Sequence, residues 1–154
     1  IMVVPRHPEA LSSLARQFQE RRIDKTYVAR VSGVVKADQG EVDLPLIADW
    51  PNRPLQKVCH ETGKTALTRW RVLRRDADST LLELTPVTGR SHQLRIHMRE
   101  IGHPILGCDF YAPEAVLRAA PRLLLHATRI RFRHPRSGQR LQGYSPAPAA
   151  FKRG

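Results

Sequence analysis

Features that would mark a stapled, anchored or metal-dependent protein are scarce here. Only two cysteines occur in 154 residues, Cys59 and Cys108, far apart and neither in a C-x-x-C. Two lone thiols fit a reduced, cytoplasmic chain better than a disulfide scaffold. Cys59 adjoins His60, but no second pair stands at zinc spacing, so no metal is expected. Apolar runs such as Leu123-Leu124-Leu125 are far too short to span a membrane. Ile1-Met2-Val3-Val4 runs straight into Pro5-Arg6, which is not a signal peptide. The chain opens on Ile1 rather than Met, so its natural start is expected upstream. There is no G-x-S-x-G and no Walker loop. Acidic residues are few and scattered, with no pair suited to acid and base work.

What is present is a core-forming, strongly basic chain. Hydrophobic residues make up 41%, enough to exclude a disordered polymer. The length suggests one domain that needs no disulfides. Lys and Arg number 26 against 14 Asp and Glu, a formal net charge of +12. A single domain this basic, and rich in Arg, suits a polyanion such as nucleic acid. Charge alone does not separate that reading from a merely solvated basic surface.

Ile1–Val4 reads as the end of a buried strand. Pro8-Glu9 opens a helix that runs to about Arg22, with Leu11, Leu14, Ala15 and Phe18 as its apolar stripe. Lys25–Val31 and Ser79–Thr85 read as strands, and Glu41–Leu44 as a short one. Ala48–Pro54, with two prolines, reads as a loop. Gln56–His60 and Lys64–Arg74 flank Glu61-Thr62-Gly63 and look like the arms of a hairpin. In the second arm Ala66, Thr68, Trp70 and Val72 share one face. Ser91 is placed to N-cap a helix ending near Ile101, with Leu94, Met98 and Ile101 buried. A short helix over Pro113–Ala119, an alternating strand ending at Arg133, a return strand at Arg140–Tyr144 and an extended tail complete the pattern. Many strands, few helices and hairpin connections predict an α+β fold. Its sheet should be mixed and mainly antiparallel, flanked by a few helices and loops.

Chemistry concentrates in Gly89-Arg90-Ser91-His92-Gln93-Leu94-Arg95-Ile96-His97, at a strand-to-helix junction. Gly89 permits a tight turn, and a helix N-terminus presents free N–H groups to an anion. His92 and His97 are five apart, so they diverge on a helix and make no metal pair. Composition and spacing end at a basic protein suited to RNA or DNA, with any catalytic role open.

The segment Arg90–His97 (RSHQLRIH), followed by Gly102–Gly107 (GHPILG), resembles the RluA family of pseudouridine synthases. So do Lys25–Ala29 (KTYVA), Asp109-Phe110-Tyr111 and Leu124–Ala127 (LLHA). The marks stand in the family's order and extend over essentially the whole chain. Leu44–Gly63 is most similar to the dual-specificity branch that modifies 23S rRNA and tRNA. The resemblance implies an isomerase that converts uridine in RNA to pseudouridine, without metal or organic cofactor, on a nucleotide drawn out of its stack. It implies catalytic roles for Tyr27, which would stack on the uracil and take the C5 proton, and for Arg95, which would pair with a catalytic aspartate. Leu94 would wall the uracil, and Arg90, His92 and Gln93 would line the RNA face. His126 reads as a structural residue at a strand end. A cytoplasmic monomer acting on RNA, with no membrane partner, is expected.

The family's aspartate belongs to an H-R-L-D-x-x-T-S-G element that should end where this chain begins. None of Asp24, Asp38, Asp43, Asp49, Asp76, Asp78 and Asp109 sits in that context. The expectation is a partial catalytic domain over residues 1–154, inactive alone, with its carboxylate supplied upstream. The alternative is a non-catalytic RNA-binding module built on the same scaffold.

Overall fold

The computed structural model describes residues 1–152. Helix α1 spans Pro8–Gln19, and strands follow at Asp24–Ser32 (β1), Gln39–Asp43 (β2), Leu46–Ala48 (β3) and Gln56–Val58 (β4). Next come β5 (Leu67–Arg75), β6 (Ser79–Pro86), helix α2 (Gln93–Glu100), the short helix α3 (Glu114–Arg118), β7 (Leu125–Arg133) and β8 (Arg140–Tyr144). Six strands form one sheet in the order β2-β5-β6-β1-β7-β8, and β3 and β4 form a separate pair. The α+β class expected from the pattern is observed, although every strand pairing is antiparallel rather than mixed.

The sheet's inner face follows from alternation. Leu82 and Leu84 of β6 stand opposite Ala29 and Tyr27 of β1, and opposite Val72 and Trp70 of β5. Thr68 and Trp70 share this face, as the two-residue period of the second arm predicts. Helix α2 closes over it with Leu94, Ile96 and Met98 in the main core cluster. The apolar side of α2 is thus wider than the expected Leu94–Met98–Ile101 stripe, and it also buries His97 completely.

The outer face carries charge pairs, Arg69 with Glu41 and Arg71 with Glu83. Arg30 is the exception on β1, because its guanidinium is buried. All three of its nitrogens are engaged: Nε and Nη2 donate to the Phe151 carbonyl, and Nη1 donates to Asp76 and Ser79. That satisfies a charge that would otherwise be costly to bury. It also pins the tail, which turns into a 3-10 segment at Ala149–Phe151 with Phe151 buried, where an extended course was expected.

Several expectations fail for identifiable reasons. Ile1–Val4 forms no strand, and Ile1, Met2 and Val4 are exposed. Helix α1 stops at Gln19, because Arg21 adopts φ +55°. Its buried side is Leu14 with Gln17, while Leu11 and Phe18 stay exposed. Gln17 is inside because both ends of its amide bond the backbone of Arg133. The supposed arms around Glu61-Thr62-Gly63 do not pair with each other. Gln56–Val58 pairs with β3, part of the stretch read as a loop, and Leu67–Arg75 pairs with β2 and β6. The local turn survives, closed by the Gly63 N–H on the Cys59 carbonyl. Finally, Ser91 does not cap α2; His92 occupies that position with φ +55° and no side-chain cap.

Candidate active site

A cleft of about 320 Å³ opens where the end of β6, the turn into α2 and the neighbouring parts of β1 and β7 meet. It is lined by Tyr27, Arg90, His92, Gln93, Leu94 and Arg95, all six residues singled out from the sequence. Lys25, Pro86, Gly89 and Leu125 complete much of the wall. Residues more than sixty positions apart therefore converge because β1 lies between β6 and β7.

Tyr27 is half-buried, and burial raises its phenol above the ordinary range. It lines the cleft, and among the described residues its hydroxyl makes no hydrogen bond. Lys25 shares the cleft, and burial lowers its pKa. Its Nζ would lie 3.1 Å from a Cβ added at Gly89, so only glycine leaves the ammonium undisturbed there. Lys25 lies in the same short motif as Tyr27, yet its place in the cleft is evident only from the fold.

Arg95 projects from the first turn of α2 and is anchored on one side. Its Nη2 donates to the carboxylate and carbonyl of Asp109, and its Nε donates to Cys108 Sγ. The rings of Phe110 and Tyr111 lie 5.4 and 5.1 Å from its Cζ. Burial works to lower its pKa, but Cys108 and Asp109 prevail and raise it, so it remains a cation. Nη1 is left without a protein partner among the described residues. Asp109, set aside on sequence context, is thus the carboxylate that Arg95 pairs with inside this chain.

His92 bends the chain into α2. Its Nδ1 lies 2.5 Å from the Tyr111 hydroxyl, whose oxygen also accepts the Gln56 N–H at 3.0 Å. Burial and the adjacent Arg95 lower the His92 pKa, with Asp109 opposing. The neutral ring therefore accepts from Tyr111 at Nδ1 and keeps Nε2–H as a donor, an assignment made from the bonding pattern. The motif Asp109-Phe110-Tyr111 was visible in the sequence, but its contact with His92 and Arg95 was not.

Gln93 does not face outward. It is buried, with Oε1 accepting from Thr88 Oγ1 and the Arg90 N–H, and Nε2 donating to the Leu67 carbonyl and Thr68 Oγ1. Thr68 then meets His97 Nδ1 at 2.8 Å, and His97 Nε2 reaches the Leu44 carbonyl at 3.0 Å. Burial lowers the His97 pKa and keeps the ring neutral. This buried chain of hydrogen bonds fixes the turn that presents Arg90 and His92. Gln93 lacks a free polar atom for an RNA contact, because the turn consumes its whole amide. Leu94 is buried on the cleft wall, as expected of an apolar neighbour. Arg90 is half-exposed and tethered through Nε to the Thr65 carbonyl. On the other side of the sheet His126 donates from Nε2 to the Ser145 carbonyl at 3.0 Å, consistent with a structural role.

The fold recurs in a known family. Residues 1–100 match the RNA pseudouridylate synthase family, and the chain belongs to that family. It is 55% identical over 126 residues to the dual-specificity RNA pseudouridine synthase RluA of Vibrio cholerae, covering 82% of this chain and 51% of that protein. It is 54% identical over 139 residues to the protein of the same name in Yersinia pestis, covering 90% of this chain and 68% of that one. Against the one from Escherichia coli K12 it is 52% identical over 148 residues, covering 96% and 68%. The chain thus spans between about half and two thirds of these relatives' length. The solved structure of human RNA Pseudouridylate Synthase Domain Containing 1 superposes with TM-score 0.77 at 26% identity, covering 92% of this chain and 61% of that one.

Proposed function

We propose that the intact protein isomerises uridine to pseudouridine in ribosomal RNA, transfer RNA or both. The observation that carries this reading is the gathering of Tyr27, Leu94 and Arg95 around one cleft in a chain of this family. The reaction breaks the bond from ribose to uracil N1, reorients the base and joins C5 to the sugar. N1 gains a proton and C5 loses one. The target nucleotide leaves its stack to enter the cleft. Tyr27 stacks on the uracil, and its oxygen takes the C5 proton. A phenol whose pKa is raised is the stronger base once ionised, and the cations of Lys25 and Arg95 stabilise that form. The free Nη1 of Arg95 orients and holds ionised the carboxylate that begins the reaction. That aspartate comes from an element outside these 154 residues, so the chain alone is inactive. His92 offers Nε2–H to the RNA, and Arg90 offers charge to its phosphates. No cofactor is required. On this reading the protein works as a cytoplasmic monomer. No helix among the described residues is long and apolar enough to cross a membrane.

The engagement of Arg95 by Asp109 favours one second reading, a non-catalytic RNA-binding module in which that pair is permanent. Pseudouridines are mapped in ribosomal and transfer RNA from cells with and without the gene. Loss of one or more sites is expected, and an unchanged map would contradict the enzymatic reading.

A further inference from the structure

The arginines of β7 lie away from the cleft. Lys25 and Tyr27 both line the cleft, yet they stand opposite Ile130 and Ala127, because the β1–β7 register shifts between Thr26 and Tyr27. That shift reverses the alternation along β7. Ile130 therefore points to the cleft side and packs with Leu14 and Ile23, while Arg129, Arg131 and Arg133 point to the outer face. Their partners on β8 are Tyr144, Gln142 and Arg140, so these six side chains share one surface.

Elsewhere on that same face arginines are neutralised by cross-strand acids, Arg69 by Glu41 and Arg71 by Glu83. At this end none of Arg129, Arg131, Arg133 and Arg140 makes an ion pair among the described residues. The one facing acid is Asp24, opposite Arg131. Arg133 and Arg140 stand directly opposite each other, an arrangement that costs stability unless an anion lies between them. The Arg129 Nε is shielded from water and has no partner among the described residues. Tyr144 is exposed beside it. Positive charge is commonly placed on edge strands to prevent strand pairing. That explains Arg140, but not a row on β7, which is paired on both sides.

We propose that this outer face of β7 and β8 is a second RNA-binding surface, which grips the phosphate backbone of a duplex outside the target nucleotide's own loop. This rests on the proposed function and adds a second contact to it. Alternate residues of a strand repeat at about 6.8 Å, comparable with the separation of successive phosphates on one strand. A regular row of unneutralised guanidinium forks suits such a backbone better than an irregular acidic protein surface.

The test uses the intact protein carrying Arg131→Gln, Arg133→Gln and Arg140→Gln, all at exposed positions. The control, Lys36→Gln with Lys57→Gln and Arg118→Gln, removes the same charge from other exposed positions. The RNA probes are a minimal uridine stem-loop and the same stem-loop extended by a long duplex. For the extended RNA the triple variant should bind on the order of tenfold more weakly. The slope of log affinity against log salt should fall by about 2 to 3, given roughly 0.7–0.9 per phosphate contact. Turnover of the minimal stem-loop should match the control. A triple variant indistinguishable from the control on the extended RNA would overturn the proposal. So would an equal loss on both RNAs, or tighter binding of polyglutamate than of the extended RNA at this face. If the wild type leaves the stem-loop unmodified yet binds the extended RNA through these arginines, the enzymatic reading falls and the surface stands.

Discussion

Replacing Gln93 by Ala separates positioning of the α2 turn from contact with RNA. The Gln93 amide bridges four groups: the hydroxyls of Thr88 and Thr68, the Arg90 N–H and the Leu67 carbonyl. The Leu67 carbonyl keeps the Val87 N–H at 2.9 Å, and the threonine hydroxyls can rotate. The Arg90 N–H is stranded and the Thr88 O–H loses its acceptor, whereas Thr88 Oγ1 keeps the Leu67 N–H and Thr68 Oγ1 keeps His97. Each unsatisfied buried group costs about 1–3 kcal/mol. A total of about 2–4 kcal/mol follows once partial relaxation is allowed. For a domain of this size a loss of about 3 kcal/mol lowers Tm by roughly 6–12 °C. Thermal melting of the variant measures this directly, and anisotropy of a labelled stem-loop below the transition measures affinity. The expected result is a large Tm loss with affinity changed only severalfold. An unchanged Tm with affinity lost would refute the positioning role and restore the outward-facing role expected from sequence.

Arg95→Ala in the intact protein should cut turnover on the order of hundredfold or more while RNA affinity stays largely intact, because phosphate contacts are distributed; single-turnover and binding assays read the two separately, and loss of all binding would count against its role. Arg95→Lys should rescue poorly, since a point charge cannot hold Cys108, Asp109 and a further carboxylate together. Tyr27→Phe should lower turnover by about 10²–10⁴ and leave stacking, hence affinity, nearly unchanged. Burial depresses the folded pKa of His97 below its ordinary 6.5. The unfolded chain therefore takes up a proton that the folded one refuses, and stability declines as pH falls below about 6.5 towards the folded pKa. Tm measured from about pH 7 to about pH 5 should decline, and His97→Gln should flatten part of that slope. A wild-type Tm that rose towards acid would contradict the neutral buried ring.

The strands were legible because their alternation is strong. β1, β6 and β8 fall almost where Lys25–Val31, Ser79–Thr85 and Arg140–Tyr144 were expected. Which strand pairs with which was not legible. Gln56–Val58 sits beside Leu46–Ala48 because of long-range packing, while the Glu61-Thr62-Gly63 turn suggested a local partner. The six candidate residues were legible as a set, since family motifs carry them, and the fold brings all six to one cleft. Their individual orientation was not. A buried Gln93 and an exposed one look alike in sequence, and the distinction rests on Thr68 and Thr88 from neighbouring segments. The Asp109–Arg95 pair is equally non-local, joining α2 to a loop fourteen residues on. The shift at Thr26/Tyr27 is another such feature: nothing in the alternation of β7 reveals that its arginines face away from the cleft.

The central claim, that Tyr27 and Arg95 serve uridine isomerisation with a carboxylate from outside these residues, is tested most directly by one assay. A uridine stem-loop is incubated with the intact protein and, in parallel, with the 154-residue chain, and pseudouridine is quantified in each. The account predicts pseudouridine with the intact protein and none with the chain alone. Robust formation by the chain alone, or none by the intact protein on any ribosomal or transfer RNA substrate, would contradict it.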